Sequence, residues 1–371
     1  MTDPVSRSSA CAHVTVDLAA LGRNYNTMRE KSGVAEAAAV IKADAYGLGM
    51  AEIVPKLLAM GCRSFFVALD KEGHAARALA PDANIYVLNG LPAEAAQNFA
   101  EAGLRPCLIS LAQITEWQTY CRVHGAHPAC VFVDTGFSRL GLDEAEVQTL
   151  ASEPSLFEGW KLALVASHLA CADDTEHPMN RAQLEKFRFA RDLLPDAPAS
   201  LANSGGVLLG PDYCFDMTRI GISLYGGSPH AADETALESV VTLHAPVLQT
   251  RALEAGDSIG YGATFTAARD MTIGIVGLGY GDGLPRSLGN RETGIARVMV
   301  SNMPVPLVGR MSMDTLAIDL TDLENPVAPG DMVEIFGHHN PIDAIATQGQ
   351  TISYELLTGL GGRYNRIYED N

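Results

Sequence analysis

Basic residues are scarce in this sequence. Its 371 residues include 26 Lys and Arg against 44 Asp and Glu, so the formal net charge is −18 at pH 7. Nucleic acids and anionic membrane surfaces attract basic patches, and this balance therefore disfavours both as partners. It does not exclude a small anionic ligand, because the local charge of one pocket need not follow the total.

Closely paired cysteines are also missing. The seven cysteines are scattered, and no C-x-x-C pair occurs. This spacing predicts reduced, mostly buried thiols and argues against a disulfide framework or a zinc site, so we expect no bound metal. The first twelve residues lack the apolar segment of a secretory signal, and no apolar run is long enough to span a membrane. We therefore expect a cytoplasmic protein.

Aromatic residues make up only 6% of the chain, but its overall composition is ordinary. Hydrophobic residues account for 47% and charged residues for 19%, which is typical of a soluble globular protein and excludes disorder or a coiled coil. The length fits two or three domains. A (β/α)8 barrel takes about 250 residues, which would leave roughly 120 for a second unit.

The first part of the chain alternates short apolar runs with helix-like segments rich in Ala, Glu and Leu. Continuous β-branched runs are typical of strands buried on both faces of a parallel sheet. Repeated βα units predict either a doubly wound sheet or a closed (β/α)8 barrel. A barrel needs only eight strands, so the first of the nine runs can pair elsewhere. The runs lie at 14–17, 37–43, 64–69, 85–90, 107–110, 129–136, 162–169, 200–204 and 219–226.

The pattern changes after Tyr225. Apolar runs are now separated by turns such as AGD and APGD, and long helical stretches are nearly absent until 351–360. This pattern predicts a mostly antiparallel β domain. We place the boundary near residue 235, in a polar stretch, which gives a barrel at 13–235 and a β domain at 236–371. The β-domain runs lie at 239–253, 271–279, 294–300, 314–320 and 331–336.

A lysine ends one of the predicted barrel strands, in AAVIKADAYGLG at 38–49. Burying an ammonium group is costly, and desolvation lowers its pKa, which makes the neutral amine available for a Schiff base. The C-terminal ends of barrel strands are where catalytic groups project. Lys42 is therefore a candidate catalytic residue, although a strand-end lysine that extends into solvent would give the same pattern.

Other strand ends carry polar groups that have both structural and functional explanations. Arg139 lies in DTGFSRLG, either as a loop arginine or as a ligand anchor. His168 follows an apolar run, where a core histidine is common. Ser204 in LANSGG fits either a helix N-cap or an anion site built with backbone N–H groups. RIGISLYG adds Arg219 and the N–H groups of Gly221 and Ile222.

The last barrel strands are a frequent phosphate-binding position. A lysine for an imine, a phosphate cradle and a group to face a ring nitrogen are what pyridoxal 5'-phosphate (PLP) requires. The sequence thus favours a PLP enzyme. The β domain adds two glycine-flanked tyrosines, Tyr261 and Tyr280, and the turn VGRMSMD at 308–314. A purely structural role at a glycine bend of a sheet would also account for either tyrosine taken alone.

Taken together, these motifs resemble the alanine racemase family along nearly the whole chain. Single motifs would carry little weight, but nine occur in the family's order and at similar spacing. The resemblance implies a PLP-binding (β/α)8 barrel followed by a mostly β domain, with the strand at 13–17 joining the β domain. The motifs are KADAYGLG, DTGFSRLG, SHLACAD, LANSGG, RIGISLYG, GYGATF, GYGDGLPR, VGRMSMD and SYE.

The resemblance also implies roles for single residues. Lys42 corresponds to the lysine that holds the coenzyme and serves as one acid–base group. Tyr261 corresponds to the second acid–base group, which the partner subunit of a homodimer contributes. Arg219 corresponds to the arginine that faces the pyridine nitrogen, and His168 to the histidine that links it to the catalytic tyrosine.

Further correspondences concern binding. The phosphate site would comprise Tyr46, Ser204, Tyr354 and the backbone of Gly221 and Ile222. The substrate carboxylate would be held by Arg139 and by the backbone around Met313. The residues that would line the entrance are Asp173, Tyr280, Arg286 and Arg310.

One position departs from the family pattern. Many members have a carbamylated lysine two residues before Asp-Thr-Gly, which orients the carboxylate-binding arginine. This chain has Phe132 there, so either another anion such as chloride supports Arg139 or the arginine is held differently.

Four functions remain to be distinguished. The first is an alanine racemase that supplies D-alanine for peptidoglycan. The second is a broader amino-acid racemase of the same fold, acting for example on serine. A non-catalytic PLP carrier would not need the β domain with Tyr261. A PLP decarboxylase should place a carboxylate, not Arg219, at the ring nitrogen.

Overall fold

The computed structural model describes residues 11–230, 237–289 and 296–371. In chain order its strands are β1 His13–Asp17, β2 Glu36–Val40, β3 Ser64–Val67, β4 Asn84–Val87, β5 Leu104–Leu108, β6 Pro128–Phe132, β7 Lys161–Ala166, β8 Ala199–Ser200, β9 Met217–Ile220, β10 Val241–Leu253, β11 Ser258–Ile259, β12 Phe265–Thr266, β13 Met271–Val276, β14 Arg297–Val300, β15 Met303–Val308, β16 Leu316–Asp319, β17 Met332–Phe336 and β18 Asn365–Glu369.

The helices connect the strands of the first half and are rare in the second. They are α1 Leu18–Lys31, α2 Lys42–Tyr46, α3 Met50–Ala59, α4 Asp70–Leu79, α5 Ala96–Glu101, α6 Leu111–His124, α7 Glu144–Ser152, α8 Pro178–Leu193, α9 Ser204–Leu208, α10 Ile342–Gln348 and α11 Ser353–Gly359.

The chain forms two compact units. The barrel unit comprises the described residues of 22–224 and 228–237. The β unit comprises those of 1–21, 225–227 and 238–371. The predicted domain boundary near residue 235 lies outside the described residues.

Strands β2 to β9 form one parallel sheet in the order β8-β7-β6-β5-β4-β3-β2-β9. A parallel bridge between Asn203, just beyond β8, and Arg219 of β9 joins the two ends of this order, so the sheet closes on itself. Every residue of β3 is buried, which explains its continuous apolar sequence. The predicted (β/α)8 barrel is confirmed, and the doubly wound alternative is wrong.

The main sheet of the β unit has eight strands in the order β13-β16-β15-β14-β17-β10-β1-β18, and β13 also pairs with β10. Its pairings are antiparallel except for the parallel pair β1–β18. The thirteen-residue strand β10 pairs with β1 and β17 through its first half and with β13 through its second half. The predicted, mostly antiparallel β architecture is confirmed.

Candidate functional site

Lys42 begins a left-handed turn rather than ending a strand. Strand β2 ends at Val40, and residues 43–46 have φ values between 54° and 57°. Left-handed backbone costs a residue with a Cβ about 1–2 kcal/mol. Four such residues in succession, none of them glycine, are therefore a local strain that the surrounding structure must hold in place.

Glu72 holds this turn to the neighbouring βα unit. Its Oε1 accepts a hydrogen bond of 2.7 Å from the backbone N–H of Ala43, the residue after Lys42. Its Oε2 accepts from the N–H groups of Ala68 and Leu69, which lie just before α4. One carboxylate thus connects the loops that follow β2 and β3.

The Lys42 ammonium lies in a cationic, partly buried environment. Burial lowers its pKa from 10.5, the charge of Arg139 lowers it further, and Glu72 opposes both effects. The direction of this shift favours the neutral amine, which is the nucleophilic form.

Tyr46, Ser204 and Gly221 meet at the C-terminal end of the barrel. The Tyr46 side chain is buried against Gly221, where an added Cβ would lie 2.5 Å from the Tyr46 hydroxyl oxygen. The N–H of Gly221 donates a 3.0 Å hydrogen bond to Oγ of Ser204. Two hydroxyl groups and a main-chain N–H therefore converge, at a position that leaves room only for glycine.

The short helix α9 carries Ser204 and depends on a second glycine. The side chain of Asn203 accepts from the N–H of Gly206 and caps the helix. An added Cβ at Gly205 would lie 2.6 Å from the carbonyl oxygen of Ala172. Ile222, which follows Gly221, is fully buried and begins a 3-10 turn.

Arg219 is buried in the barrel with its charge intact. Its Nη1 donates to Oγ of Ser200 at 2.6 Å and to the Ser200 carbonyl at 2.9 Å, and Nη2 donates to the carbonyls of Ser167 and Leu201. Burial lowers the pKa of Arg219 to about 10, so the guanidinium stays protonated at neutral pH. Its Nε makes no hydrogen bond with any residue that the structure describes.

His168 follows β7 and contacts this guanidinium. Its Nδ1 lies 3.3 Å from Nη2 of Arg219. Burial lowers the pKa of His168 well below 6.5, and the charges of Arg219, Arg139 and Lys42 lower it further. The imidazole is therefore neutral at physiological pH, and Nδ1 accepts a hydrogen bond from the arginine. Asp173 lies exposed in the loop that follows.

Arg139 is exposed on the loop between β6 and α7. Its guanidinium carbon lies 4.0 Å from the centre of the Phe137 ring. Phe132, the last residue of β6, is buried. The site residues of the barrel unit thus gather at the loops that follow β2, β6, β7, β8 and β9, which is one end of the barrel.

Tyr261 lies in the β unit, between the short strands β11 and β12. Glycines with φ values of 71° and 73° flank it, and its side chain is 69% exposed. It lines a cleft of about 690 Å³ together with Arg310 and Ser312. An added Cβ at Gly262 would lie 3.3 Å from Nη1 of Arg310.

Tyr280 and Met313 lie on two loops that are bound to each other. The N–H of Tyr280 donates to the carbonyl of Ser312, and the N–H of Gly281 donates to the carbonyl of Met313. Arg363 forms ion pairs with Asp282 of the first loop and Asp314 of the second. Arg286 lies exposed beyond the first loop, and Tyr354 is 37% exposed in α11.

Several contacts could not be anticipated from the motifs. Glu72 and Ser200 lie outside the quoted motifs, and Gln183 of α8 joins Thr135 to the carbonyl of His168. The one indication of the Glu72 contacts in the sequence is its place as the third residue of a helix. Glutamate there often accepts a hydrogen bond from the backbone N–H just before the helix. Phe137 was visible inside a motif, but its contact with Arg139 was not.

No helix in the described ranges combines the length and apolar character needed to cross a membrane.

Comparison with known proteins identifies the family. The model of the alanine racemase N-terminal domain matches residues 16–229, and that of the C-terminal domain matches residues 240–368. An alanine racemase of Rhizobium meliloti is 45% identical over 97% of this chain and 97% of its own length. A catabolic alanine racemase of Agrobacterium fabrum is 42% identical over 97% of this chain and 92% of its own.

A solved structure agrees with this result. The alanine racemase of Bartonella henselae with covalently bound pyridoxal phosphate has a TM-score of 0.93 and 41% identity, covering 97% of this chain and 100% of that one. Two family models and full-length relatives point to the same conclusion. The chain belongs to the alanine racemase family.

Proposed function

We propose that this protein is an alanine racemase that interconverts L- and D-alanine with PLP as its coenzyme. The full-length relatives carry that name, and the Bartonella henselae structure contains pyridoxal phosphate. The observation that carries the proposal is the basic group at one end of the barrel, in which the charges of Arg219, Arg139 and Lys42 all act on His168.

The barrel end fits the phosphate of PLP. The hydroxyl groups of Tyr46 and Ser204 and the N–H of Gly221 converge where only glycine leaves space. Hydroxyl and main-chain N–H donors suit phosphate oxygens. We assign these groups, with the N–H of Ile222 and the hydroxyl of Tyr354, to the phosphate site.

Arg219 fits the position facing the pyridine nitrogen. Its two Nη atoms are held by Ser200, Ser167 and Leu201, whereas Nε has no partner in the described ranges. Because the guanidinium keeps its proton at neutral pH, it would donate a hydrogen bond without protonating the ring. Nδ1 of His168 also contacts Nη2 and so helps to orient the guanidinium.

PLP, when bound, withdraws electrons from the α-carbon of the amino acid and so makes its proton removable. Inverting the α-carbon requires a proton to leave one face and another to arrive at the opposite face. We assign Nζ of Lys42 and the phenol oxygen of Tyr261 to these two transfers. The lowered pKa of Lys42 serves this role because a neutral amine can accept a proton.

The substrate needs a carboxylate site and an entrance. We assign the carboxylate to Arg139 and to the backbone at Met313. We assign the entrance to Asp173, Tyr280, Arg286 and Arg310, which are all exposed.

Assembly and physiological role complete the proposal. We propose a homodimer in which Tyr261 and Met313 act at the partner's coenzyme. We also propose that the chain divides into its two domains at residue 235 and that the protein is cytoplasmic. We also propose that the product D-alanine serves peptidoglycan synthesis. The broader racemase acting on serine is the less favoured alternative, because the relatives reported above are named for alanine.

The test combines spectroscopy and turnover. Purified protein supplied with PLP should gain a visible absorption band that borohydride bleaches, with the coenzyme fixed to Lys42 in the mass spectrum. It should convert L-alanine to D-alanine faster than L-serine to D-serine. A protein that stays colourless, or a faster reaction with serine, would contradict the proposal.

A further inference from the structure

Arg139 carries a positive charge that no side chain of residues 11–230, 237–289 and 296–371 neutralises. It forms no ion pair and no hydrogen bond with any residue in the ranges that the structure describes. Its charge acts on two basic groups, since it lowers the pKa of both Lys42 and His168. A long exposed side chain without a polar partner normally samples many rotamers, and ordering it costs free energy.

The backbone that carries Arg139 is, by contrast, firmly held. Oδ1 of Asp134 accepts hydrogen bonds from the N–H groups of Gly136 and Ser138, at 2.8 and 3.1 Å. At the far end of the loop, the N–H of Asp134 donates to the carbonyl of Leu142. An added Cβ at Gly141 would lie 2.6 Å from the backbone nitrogen of Asp134. The loop is therefore closed tightly, and only the arginine side chain remains to be positioned.

Phe137 is the group that contacts this side chain. The guanidinium carbon of Arg139 lies 4.0 Å from the centre of the Phe137 ring, which is within cation–π range. Ser138 between them has a φ of 58°, so a left-handed residue turns the chain between the two side chains. The ring itself is held by His168, since their centroids are 5.6 Å apart at an interplanar angle of 63°.

No support for the arginine comes from the end of strand β6. Phe132 at this position is a buried apolar residue, 8% exposed, whose backbone carbonyl accepts from Leu142. It offers neither a negative charge nor a hydrogen-bond acceptor in its side chain.

We propose that Phe137 is a positioning residue for the substrate carboxylate, which holds the guanidinium of Arg139 by its ring face in place of an anionic partner. This inference rests on the proposed function, because it takes Arg139 as the carboxylate-binding group. A ring face orders the guanidinium without occupying its N–H donors, so all of them stay available to the carboxylate. It also leaves the arginine's charge uncompensated, which strengthens its attraction for an anion.

The first experiment measures racemisation of both alanine enantiomers by the PLP-loaded Phe137→Leu variant. We expect KM to rise roughly 3- to 10-fold with kcat little changed, as loss of a cation–π contact predicts. Phe137→Tyr, which keeps an aromatic face, should restore KM. The inhibition constant of propionate, a carboxylate without an amino group, should rise in parallel with KM.

The matched control is Phe215→Leu. Phe215 also lies under an arginine, with the guanidinium carbon of Arg191 6.0 Å from its ring centre. It precedes β9 and therefore lies at the opposite end of the barrel from the site. This variant should leave KM and propionate inhibition unchanged, which separates a specific effect from the general loss of an aromatic ring.

A double-mutant cycle with Arg139→Ala distinguishes positioning from folding. If Phe137 acts through the arginine, Phe137→Leu should have no further effect on propionate inhibition in the Arg139→Ala background. Additive losses, an unchanged KM in Phe137→Leu, or a fall in kcat alone would overturn the inference. So would a wild-type KM that depends on chloride at constant ionic strength, because an anion would then support Arg139.

Failure of the proposed function gives a different result. In that case the wild-type protein would not racemise alanine, or Arg139→Ala would leave KM and propionate inhibition unchanged. If Arg139→Ala weakens both and Phe137→Leu weakens neither, only the positioning role of Phe137 fails.

Discussion

Arg219, which is buried, and His168, which is half-buried, form a pair in which the arginine is charged and the histidine neutral. Nη2 of Arg219 lies 3.3 Å from Nδ1 of His168. The guanidinium keeps its proton at neutral pH, whereas burial and the nearby cations lower the pKa of the imidazole. The pair therefore carries a single positive charge, and the histidine presents Nδ1 as an acceptor. This arrangement links the orientation of the arginine to the protonation of the histidine.

The lowered pKa values of two histidines predict that the folded protein loses stability in acid. Burial lowers the pKa of both His168 and His244 from 6.5, and the stacked ring of His13 lowers that of His244 further. Below about pH 6.5 the unfolded chain binds protons that the folded chain does not, so the free energy of unfolding should fall as the pH falls. Urea unfolding between about pH 7.5 and 5 should show this loss.

The variant His244→Gln isolates the contribution of His244 to the pH dependence of stability. Its stability should decline less steeply with acid than that of the wild type, whereas His74→Gln, at an exposed position of α4, should follow the wild-type curve. Identical curves for all three proteins would show that His244 does not contribute.

The left-handed turn after Lys42 predicts an unusual response to glycine. Ala43 has a φ of 54°, and glycine adopts this conformation without the steric cost that alanine bears. Ala43→Gly should therefore raise the free energy of unfolding by about 0.5–1 kcal/mol. Ala51→Gly, at an exposed position of the right-handed helix α3, should lower it by about 1 kcal/mol. Chemical denaturation checks both, and a destabilised Ala43→Gly protein would contradict the expectation.

The contact between Gly221 and Tyr46 predicts coupled substitutions. Gly221→Ala would place a methyl group 2.5 Å from the Tyr46 hydroxyl oxygen, and overpacking of this kind costs about 1–3 kcal/mol. PLP affinity, measured by spectral titration, should fall about tenfold. Adding Tyr46→Phe removes the clashing oxygen, so without PLP the double variant should have a higher free energy of unfolding than Gly221→Ala alone. If it is no more stable, the clash is not the cause.

Arg219 is predicted to limit side reactions. A carboxylate at this position would keep a proton on the pyridine nitrogen. A protonated pyridine makes PLP a stronger electron sink. Arg219→Glu should therefore racemise more slowly, absorb at longer visible wavelengths with alanine present, and release pyruvate by transamination. A correctly folded variant with an unchanged spectrum and no pyruvate would count against this role.

The sequence predicted the parts of the fold that depend on short-range patterns. Buried strands such as β3 and β4 appear as continuous apolar runs, and Gly221 and Ser204 stand in recognisable turns. Other boundaries were shifted, because β2 ends at Val40 and β9 at Ile220, earlier than their apolar runs. The short hairpin β11–β12, strand β15 and the final strand β18 were missed. Two-residue strands carry no periodic signal, and β15 contains two prolines, which are rare inside strands.

The remaining features arise from contacts that are distant in the sequence. Residues 43–46 read as ordinary helix formers, and their left-handed conformation is held in part by Glu72, which lies 29 residues from Ala43. The contact of Phe137 with Arg139 lies within one motif, yet it depends on a loop closed by Asp134 and Leu142. Propensity and spacing cannot report such constraints, because the packing that decides them is tertiary.

The most direct test of the account mixes two inactive variants. Lys42→Ala and Tyr261→Phe should each abolish racemisation. In a homodimer with shared sites, a mixed dimer has one site with both lesions and one intact site. Co-expressed subunits that associate at random should therefore recover about a quarter of wild-type activity. A mixture that stays inactive, although mixed dimers are present, would contradict the assignment of Lys42 and Tyr261 to one active site built from two subunits.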